Sequence, residues 1–458
     1  MLSNNLQGYA GKVRELLERI GASVGCSIKL VLSNNIIIHG ILMPKHELSH
    51  RDIVVVKLDN GYNIGVDINK ITSIELVECR AIKPEEARVS KASGGGLPIV
   101  KILGCGGTIA SKVEYETGAV RPAMTPEELM ELIPELRGLA NYDVEVLFNI
   151  LSEDMTPRHW ETVACNIYKV VKKGVSGIVV THGTDTMGYT AAAVAFAVRN
   201  LPMPVAFVGA QRSSDRPSTD AALNLLAAVL TTLRAPFGES VVVMHASPSD
   251  YGAFVHRGVK VRKMHSSRRD AFQSVNDLPL AYVDLGSQTV QLINSRYIPR
   301  KSVDEVVTSI GFDARVALIK AYPGFQSEII DQLVDKGFHG IVIEGTGLGH
   351  IGSYTINSIK RAIEEGIAVV MTTQTLFGRV NMNVYTTGRK LLELGVIPGE
   401  DMLPETAYVK LSWVLAQTRD LNKVREMMLT NYVNEINPRH TVDMFVKNLM
   451  EEFKYPVR

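Results

Sequence analysis

The stretch Val180-Thr181-His182-Gly183-Thr184-Asp185-Thr186-Met187 decides the fold of this chain. It follows a short apolar run that predicts a buried parallel strand, and an alanine-rich segment with good helix propensity comes after it. A polar turn between a strand and a helix lies where backbone N–H groups and the helix dipole converge on ligands. Thr184 and Asp185 therefore offer a possible nucleophile and a charge, although a turn that only caps a helix has the same composition.

A glycine-rich turn, Gly104-Cys105-Gly106-Gly107-Thr108, ends a second predicted buried strand. The glycines let the backbone turn tightly and approach a ligand, and they place the hydroxyl of Thr108 at a strand end. Neither of the two common glycine-rich phosphate-binding signatures occurs here, so a nucleotide loop is not indicated. We expect the Thr108 and Thr184 turns to face one common pocket.

The composition bounds the class of protein. A length of 458 residues predicts two to four domains, and 46% apolar with 21% charged residues is typical of a soluble globular protein. A net charge of +1 argues against a surface dedicated to nucleic acid. The sequence contains no apolar run of about twenty residues and no signal-peptide pattern, so we expect a cytoplasmic protein without a membrane span.

The four cysteines are scattered without a C-x-x-C motif, which predicts free and mostly buried thiols in a reducing compartment. They are Cys26, Cys79, Cys105 and Cys165. Cys105 lies beside the glycine-rich turn, but we expect a small packed thiol there because no sequence context supports a nucleophile.

The periodicity divides the chain into an N-terminal β domain and an α/β body. A short helix at 9–21 and five short strands between residues 27 and 78 predict a small SH3-like β-barrel domain over 1–80, with Asn and Gly at its hairpin turns. Residues 81–97 are typical of an exposed linker. Beyond them strands and helices alternate, which predicts a mostly parallel sheet in a larger domain, 98–300, and a smaller one, 311–458. The predicted helices of the body include 126–133, 157–173, 186–200, 219–234 and 327–336.

Five motifs in the body resemble the L-asparaginase family of amidohydrolases. They are GGTIAS at 106–111, NILSEDM at 149–155, THGTDTMGYTA at 181–191, PVAFVGAQR at 204–212 and VRKMHS at 261–266. The resemblance covers about residues 98–458 and implies an asparaginase-like body of two α/β domains with a flavodoxin-like sheet.

The resemblance also implies catalytic residues. Thr108 is the first choice for the nucleophile, and Tyr115, in a segment that resembles the family's mobile lid, would orient or activate it. Thr184, Asp185 and Lys263 form a second set, in which a lysine beside a hydroxyl can act as a base. Without the family match Tyr115 would be an exposed loop residue and Lys263 a surface cation. Which threonine makes the covalent bond stays open.

Substrate-binding residues follow from the same resemblance. They are Ser152, Glu153, Gly107 and Gly183, of which Ser152 and Glu153 would hold the α-carboxylate and α-amine of the substrate. A loop cap is the alternative interpretation for Ser152 and Glu153. We expect His182 to be a packed, hydrogen-bonded residue rather than a base. The other histidines show no metal-binding spacing, so no metal is predicted on this chain.

The β domain ahead of an asparaginase-like body resembles the family of archaeal glutamyl-tRNA(Gln) amidotransferase D subunits. That resemblance implies a glutaminase that makes ammonia for a partner, the E subunit, within a heterotetramer built on a homodimer core. The partner would use ATP and magnesium to amidate Glu-tRNA(Gln), and this chain would carry no cofactor. A free-standing asparaginase is the alternative. Bacterial asparaginases place an Asn in the turn that matches 345–350 and a Glu in the segment that matches 378–384, and this sequence has neither residue at the matching place. Recognition of the substrate head group should therefore differ. The choice between glutamine and asparagine stays open.

Overall fold

The computed structural model describes residues 6, 8–43, 45, 51–58, 63–79, 96–106, 111–114, 119–122, 133–212 and 219–445. The helices are α1 (Gly11–Arg19), α2 (Pro157–Lys172), α3 (Met187–Ala197), α4 (Ala221–Arg234), α5 (Glu328–Asp335), α6 (Ile356–Glu364), α7 (Thr386–Leu394), α8 (Pro404–Leu415) and α9 (Leu421–Leu429). The strands of the N-terminal part are β1 (Ser27–Leu32), β2 (Ile37–Leu42), β3 (Ile53–Lys57), β4 (Asn63–Asp67) and β5 (Ile71–Glu78).

The described residues of the body form eighteen strands. They are β6 (Ile99–Cys105), β7 (Ser111–Glu114), β8 (Ala119–Pro122), β9 (Asn141–Phe148), β10 (Gly177–Thr181), β11 (Val198–Arg199), β12 (Val205–Val208), β13 (Ser240–His245), β14 (Gly252–Arg257), β15 (Val261–Lys263), β16 (Phe272–Ser274), β17 (Ala281–Asp284), β18 (Thr289–Leu292), β19 (Val307–Thr308), β20 (Val316–Lys320), β21 (Gly340–Gly345), β22 (Ala368–Thr373) and β23 (Ile397–Pro398).

The N-terminal strands form one antiparallel sheet in the order β4-β3-β2-β1-β5. Alternate residues of β1, Ile28 and Leu30, are buried against α1, whose Val13 and Leu17 face the same core. Asn35 adopts a positive φ of 63° in the β1–β2 turn, as the predicted hairpin requires. The five strands are confirmed, whereas closure into a barrel stays a prediction because β4 and β5 are the edges of the described sheet.

The prediction of four free thiols was wrong for Cys26 and Cys79, which form a disulfide. Cys26 precedes β1 and Cys79 follows β5, and these neighbouring strands pair at Ser27 and Glu78, so their ends bring the two sulfurs together. A pairing of this kind depends on strand register, which no cysteine spacing reveals. Cys105 and Cys165 are free, and Cys105 is buried as expected, which raises its pKa well above the ordinary value.

The larger part of the body is built on an eight-stranded sheet in the order β18-β17-β14-β13-β12-β10-β6-β9. The half from β13 to β9 is parallel, which confirms the mostly parallel prediction, while β14, β17 and β18 extend it in antiparallel fashion. Central strand β10 lies between β6 and β12 and is buried along its whole length. This explains why its sequence is a continuous apolar run rather than an alternating one.

Helix α3 follows β10 and is almost wholly buried, since its apolar residues point in all directions. It ends at Ala197, three residues earlier than predicted, because Val198 and Arg199 pair with β19 instead. The smaller part of the body has a parallel sheet in the order β20-β21-β22-β23, and α8 packs against it. The opposite side of α8 packs against α3, where Phe196 stacks on Trp413 at 5.6 Å between ring centroids.

Several sequence predictions concern residues that lie outside the described part of the chain. These are the linker after residue 79, most of the predicted helix 126–133, and the middle of the segment that resembles a lid. The described ends of that segment, β7 and β8, pair as an antiparallel hairpin. No helix among the described residues is long and apolar enough to cross a membrane.

Candidate active site

Lys263 joins the two functional residues of the strand-to-helix turn. Its Nζ donates hydrogen bonds to Thr184 Oγ1 at 2.9 Å and to Asp185 Oδ1 at 2.8 Å. Thr184 is buried, the Lys263 side chain is 14% exposed, and the Asp185 side chain is 68% exposed. The amine and hydroxyl are therefore sheltered from water, while the carboxylate is exposed.

The main sheet and a small hairpin bring these residues together. Thr184 follows the carboxyl end of β10, and Lys263 is the last residue of β15, which pairs with β16. The two residues are 79 positions apart in the sequence, so the contact is a product of the tertiary fold. Along the sequence only a family resemblance links them, and the described geometry brings all three of Thr184, Asp185 and Lys263 into one hydrogen-bonded group.

The loop that contains Ser152 packs directly against the turn. A side chain at Gly183 would place its Cβ 2.7 Å from the Cβ of Ser152, so only glycine allows the two loops to lie this close. Thr186 Oγ1 donates a 2.6 Å hydrogen bond to the carbonyl of Ser152 and ties the loops together. Thr186 had no predicted role, because this bond joins segments that are 34 residues apart.

Gly209, at the end of β12, makes room for Thr184. A Cβ at this position would lie 2.7 Å from Thr184 Cγ2 and 2.8 Å from the carbonyl oxygen of His182. Both distances are shorter than van der Waals contact, so a larger residue would displace the turn. Strand β12, the parallel neighbour of β10, thus helps to fix the position of the Thr184 hydroxyl.

His182 is a packed residue, as predicted. Its Nδ1 donates to the carbonyl of Gly183 at 2.7 Å, and its Nε2 accepts from Thr190 Oγ1 at 2.9 Å, which leaves no lone pair for a substrate proton. Burial lowers the pKa of His182 to about 4, against the opposing effect of the Gly183 carbonyl. The imidazole is therefore neutral near pH 7, and its two hydrogen bonds connect the turn at Gly183 to Thr190 of α3.

The remaining predicted site residues are not brought into this group by the described contacts. Glu153 is exposed in the 3-10 turn Ser152–Asp154, beside the buried Ser152. Gly107, Thr108 and Tyr115 lie outside the described residues. Strands β6 and β10 are parallel neighbours, with Gly104 opposite Thr181, so the chain leaves both strands at the same sheet edge. Among the described residues no three His, Cys, Asp or Glu side chains are grouped to hold a metal ion.

Family models and solved structures define the class to which this fold and site belong. The asparaginase N-terminal model matches residues 99–296, and the glutaminase/asparaginase C-terminal domain model matches 315–428. The L-asparaginase of Thermococcus kodakarensis is 33% identical with a TM-score of 0.67, over 74% of this chain and 100% of that one. L-asparaginase I of Vibrio cholerae is 28% identical with a TM-score of 0.64, over 74% and 99%. The body thus has the two-domain fold of the asparaginase class.

The N-terminal part narrows this class. Residues 22–77 match the GatD N-terminal domain model. The glutamyl-tRNA(Gln) amidotransferase D subunit of Saccharolobus solfataricus is 52% identical over 96% of this chain and 98% of its own length. The Pyrococcus furiosus protein of that name is 53% identical over 93% and 98%. This chain belongs to the family of glutamyl-tRNA(Gln) amidotransferase D subunits.

Proposed function

We propose that this chain is the glutaminase subunit of a tRNA-dependent amidotransferase in the cytoplasm. It hydrolyses glutamine through a threonine nucleophile and supplies ammonia to a partner protein. The observation that carries the hydrolytic role is the contact of one sheltered amine, Lys263, with both Thr184 Oγ1 and Asp185 Oδ1.

The chemistry requires a hydroxyl that attacks the side-chain amide carbon of glutamine. The C–O bond forms as the Oγ proton passes to a base, and the C–N bond then breaks as the leaving nitrogen takes a proton and departs as ammonia. Water attacks the resulting acyl-enzyme and releases glutamate. Lys263 is placed to exchange a proton with Thr184, and Asp185 holds the amine in the required orientation.

Thr108 stays our choice for the attacking hydroxyl in the first step, with Tyr115 as the residue that activates it. Thr184 would then serve the second step by activating water. In support, β6 and β10 are adjacent and parallel, so the segments that carry the two threonines start from the same edge. Gly107 and Gly183 would present backbone groups to the substrate, while Ser152 and Glu153 would bind its head group.

The tRNA-linked half of the proposal is supported by the match of residues 22–77 and by full-length relatives that are named as amidotransferase subunits. We propose that the amidotransferase E subunit binds this chain, phosphorylates Glu-tRNA(Gln) with ATP and magnesium, and uses the ammonia. The functional assembly would be a heterotetramer with a homodimer of this chain at its core.

The proposal is tested by measuring ammonia release from glutamine, with and without the E subunit and Glu-tRNA(Gln). Thr184→Ala and Lys263→Met should each lower the turnover rate about 100-fold to 10,000-fold, because positioned proton transfer contributes this much. Lys360→Met, at an exposed lysine of α6, is the matched control and should keep full activity. Amidation of Glu-tRNA(Gln) with free ammonium should survive in all three variants. Full glutamine-dependent amidation by Thr184→Ala would refute the assignment.

The same assay separates the free-standing asparaginase from the amidotransferase subunit. The structural likeness to two L-asparaginases favours this second candidate for the body alone. A lone chain that hydrolyses asparagine rapidly, and whose rate does not respond to the partner or to charged tRNA, would be an asparaginase. A rate that rises when both are added identifies the glutaminase of the amidotransferase.

A further inference from the structure

The strand that carries Lys263 is held outside the main sheet. In the part of the chain that the structure describes, β15 pairs with β16 alone, in a two-stranded hairpin. Three residues of strand cannot fix a lysine side chain to within the fraction of an ångström that proton transfer needs. Beyond the bonds of the amine itself to Thr184 and Asp185, the contacts that the neighbouring segments make with other elements should therefore help to position the backbone of Lys263.

The first of these contacts is a buried ion pair between the two halves of the body. Lys260 Nζ donates to Asp401 Oδ2 at 2.7 Å, and both side chains are fully buried. Asn437 also donates two hydrogen bonds to the Asp401 carboxylate, from its backbone N–H at 2.8 Å and from its side-chain amide at 2.7 Å. Burial alone would raise the pKa of Asp401, but the Lys260 charge and the Asn437 bonds outweigh it, so the pKa lies below its ordinary value.

Two further contacts bind the segment that contains Lys260, one on each side of this residue. Thr406 Oγ1 donates to the carbonyl of Val259 at 2.9 Å, and Arg262 Nε lies 3.1 Å from Glu405 Oε1. Glu405 and Thr406 belong to the first turn of α8, which begins three residues after Asp401. Residues 401, 405 and 406 thus contact residues 260, 262 and 259, respectively.

Strand β16, the second strand of the hairpin, is followed by a residue that hydrogen-bonds to Asp401 and Asn437. Asn276, which follows β16 with a positive φ of 56°, donates to the backbone carbonyls of Asp401 at 3.0 Å and Gly378 at 2.9 Å. Its own carbonyl accepts from the side chain of Asn437 at 2.6 Å. Both ends of the hairpin are therefore anchored to the residues around Asp401.

We propose that Asp401 is a positioning residue for Lys263, because its carboxylate fixes Lys260 and so helps to set where the lysine amine lies relative to Thr184. The inference deepens the proposed function and rests on it. It places control of an active site of the larger domain in the smaller domain, in a fully buried side chain that lies three residues before α8.

The test measures ammonia release from glutamine by the full chain, in the presence of the E subunit and Glu-tRNA(Gln). Asp401→Asn should lower kcat about 10-fold to 100-fold, the effect of moving a reacting group by up to an ångström, and should change KM less than about twofold. Lys263 should also react faster with an amine reagent, measured by mass spectrometry at that residue. If Asp401 only stabilised the fold, the folded variant would keep both the wild-type ratio of kcat to KM and the wild-type reactivity of Lys263.

Lys410→Met is the matched control, because Lys410 and Glu435 form another fully buried ion pair, also in the second domain. It should lose comparable stability and keep kcat at a temperature where the variant is folded. Where Asp401→Asn does not fold, Lys260→Met/Asp401→Leu is the second test, since it leaves no unpaired charge from this ion pair and still removes the pair itself. We expect the same fall in kcat from the double variant.

Wild-type kcat in a folded Asp401 variant, or an equal loss of kcat in Lys410→Met, would overturn the positioning role. The proposed function fails separately, through full activity of Lys263→Met. An inactive Lys263→Met combined with a fully active Asp401→Asn would reject the positioning role alone.

Discussion

Removal of the Cys26–Cys79 disulfide should destabilise the N-terminal sheet by a calculable amount. The two cysteines are 53 residues apart and enclose all five strands. In the loop-entropy description, a cross-link of this span stabilises the folded state by about 4 kcal/mol at 25 °C. That energy corresponds to about a 1000-fold change in the equilibrium between closed and open forms.

Hydrogen exchange of the full chain measures this change where it occurs. In Cys26→Ala/Cys79→Ala, amides of β1 and β3 should exchange up to about 1000-fold faster than in the oxidised wild type, because opening of the sheet limits their exchange. Amides of β10 should keep their protection, since that strand belongs to the body. Fluorescence is less useful here because both tryptophans, Trp160 and Trp413, lie in the body.

Two results would refute this reasoning. Alkylation of Cys26 and Cys79 in protein purified without reductant would show that the bond does not form. Unchanged protection of β1 in the double variant would show that the bond contributes nothing to the sheet. Cys165→Ala removes a free, half-buried thiol and should leave exchange in the N-terminal sheet as it is in the wild type.

Three further predictions concern the body. The pKa of His182 is lowered from 6.5 to about 4 in the folded protein, so the unfolded chain takes up this proton first on acidification. About 3 kcal/mol of the stability present above pH 6.5 should therefore be lost between pH 6.5 and pH 4. Thermal unfolding should show this loss as a falling Tm. Lys410→Met should cost about 3–5 kcal/mol in denaturant unfolding, because Glu435 would be left as a buried, unpaired charge. Gly209→Ala should lower glutamine turnover up to about 100-fold, because its Cβ would push Thr184 out of line.

Each of these predictions has its own control. In His182→Gln the fall of Tm between pH 6.5 and pH 4 should be smaller than in the wild type, and an equal fall would assign the effect to other groups. Addition of Glu435→Gln to Lys410→Met should recover part of the lost stability. Gly311→Ala, where a Cβ would meet nothing nearer than 3.5 Å, should keep full turnover, and an equal loss there would remove the steric explanation.

Local sequence patterns predicted most single elements of this fold. The five strands expected between residues 27 and 78 are present, and α2 (Pro157–Lys172) matches the predicted helix 157–173 to within one residue. The antiparallel extension by β14, β17 and β18 was not predicted, because pairing direction depends on how distant strands meet. The early end of α3 at Ala197 has the same origin, since β19 competes for the residues that follow it.

The candidate site was only partly predictable for a similar reason. Thr184 and Asp185 follow from the strand-to-helix turn itself, where residue types and position coincide. Lys263 lies in a basic segment and could be singled out only by family resemblance. The hydrogen bond of Thr186 to Ser152 and the ion pair of Lys260 join residues far apart in the sequence, and no pattern along the chain reports them.

Helix α8 touches both halves of the body, with its Trp413 side chain against α3 and another side against β20, β21 and β22. A chain cleaved between β19 and β20 would therefore expose the apolar surfaces of α3 and of α8 that face each other, and neither fragment could cover its own surface. The two halves, which separate family models match, should therefore melt in one cooperative transition.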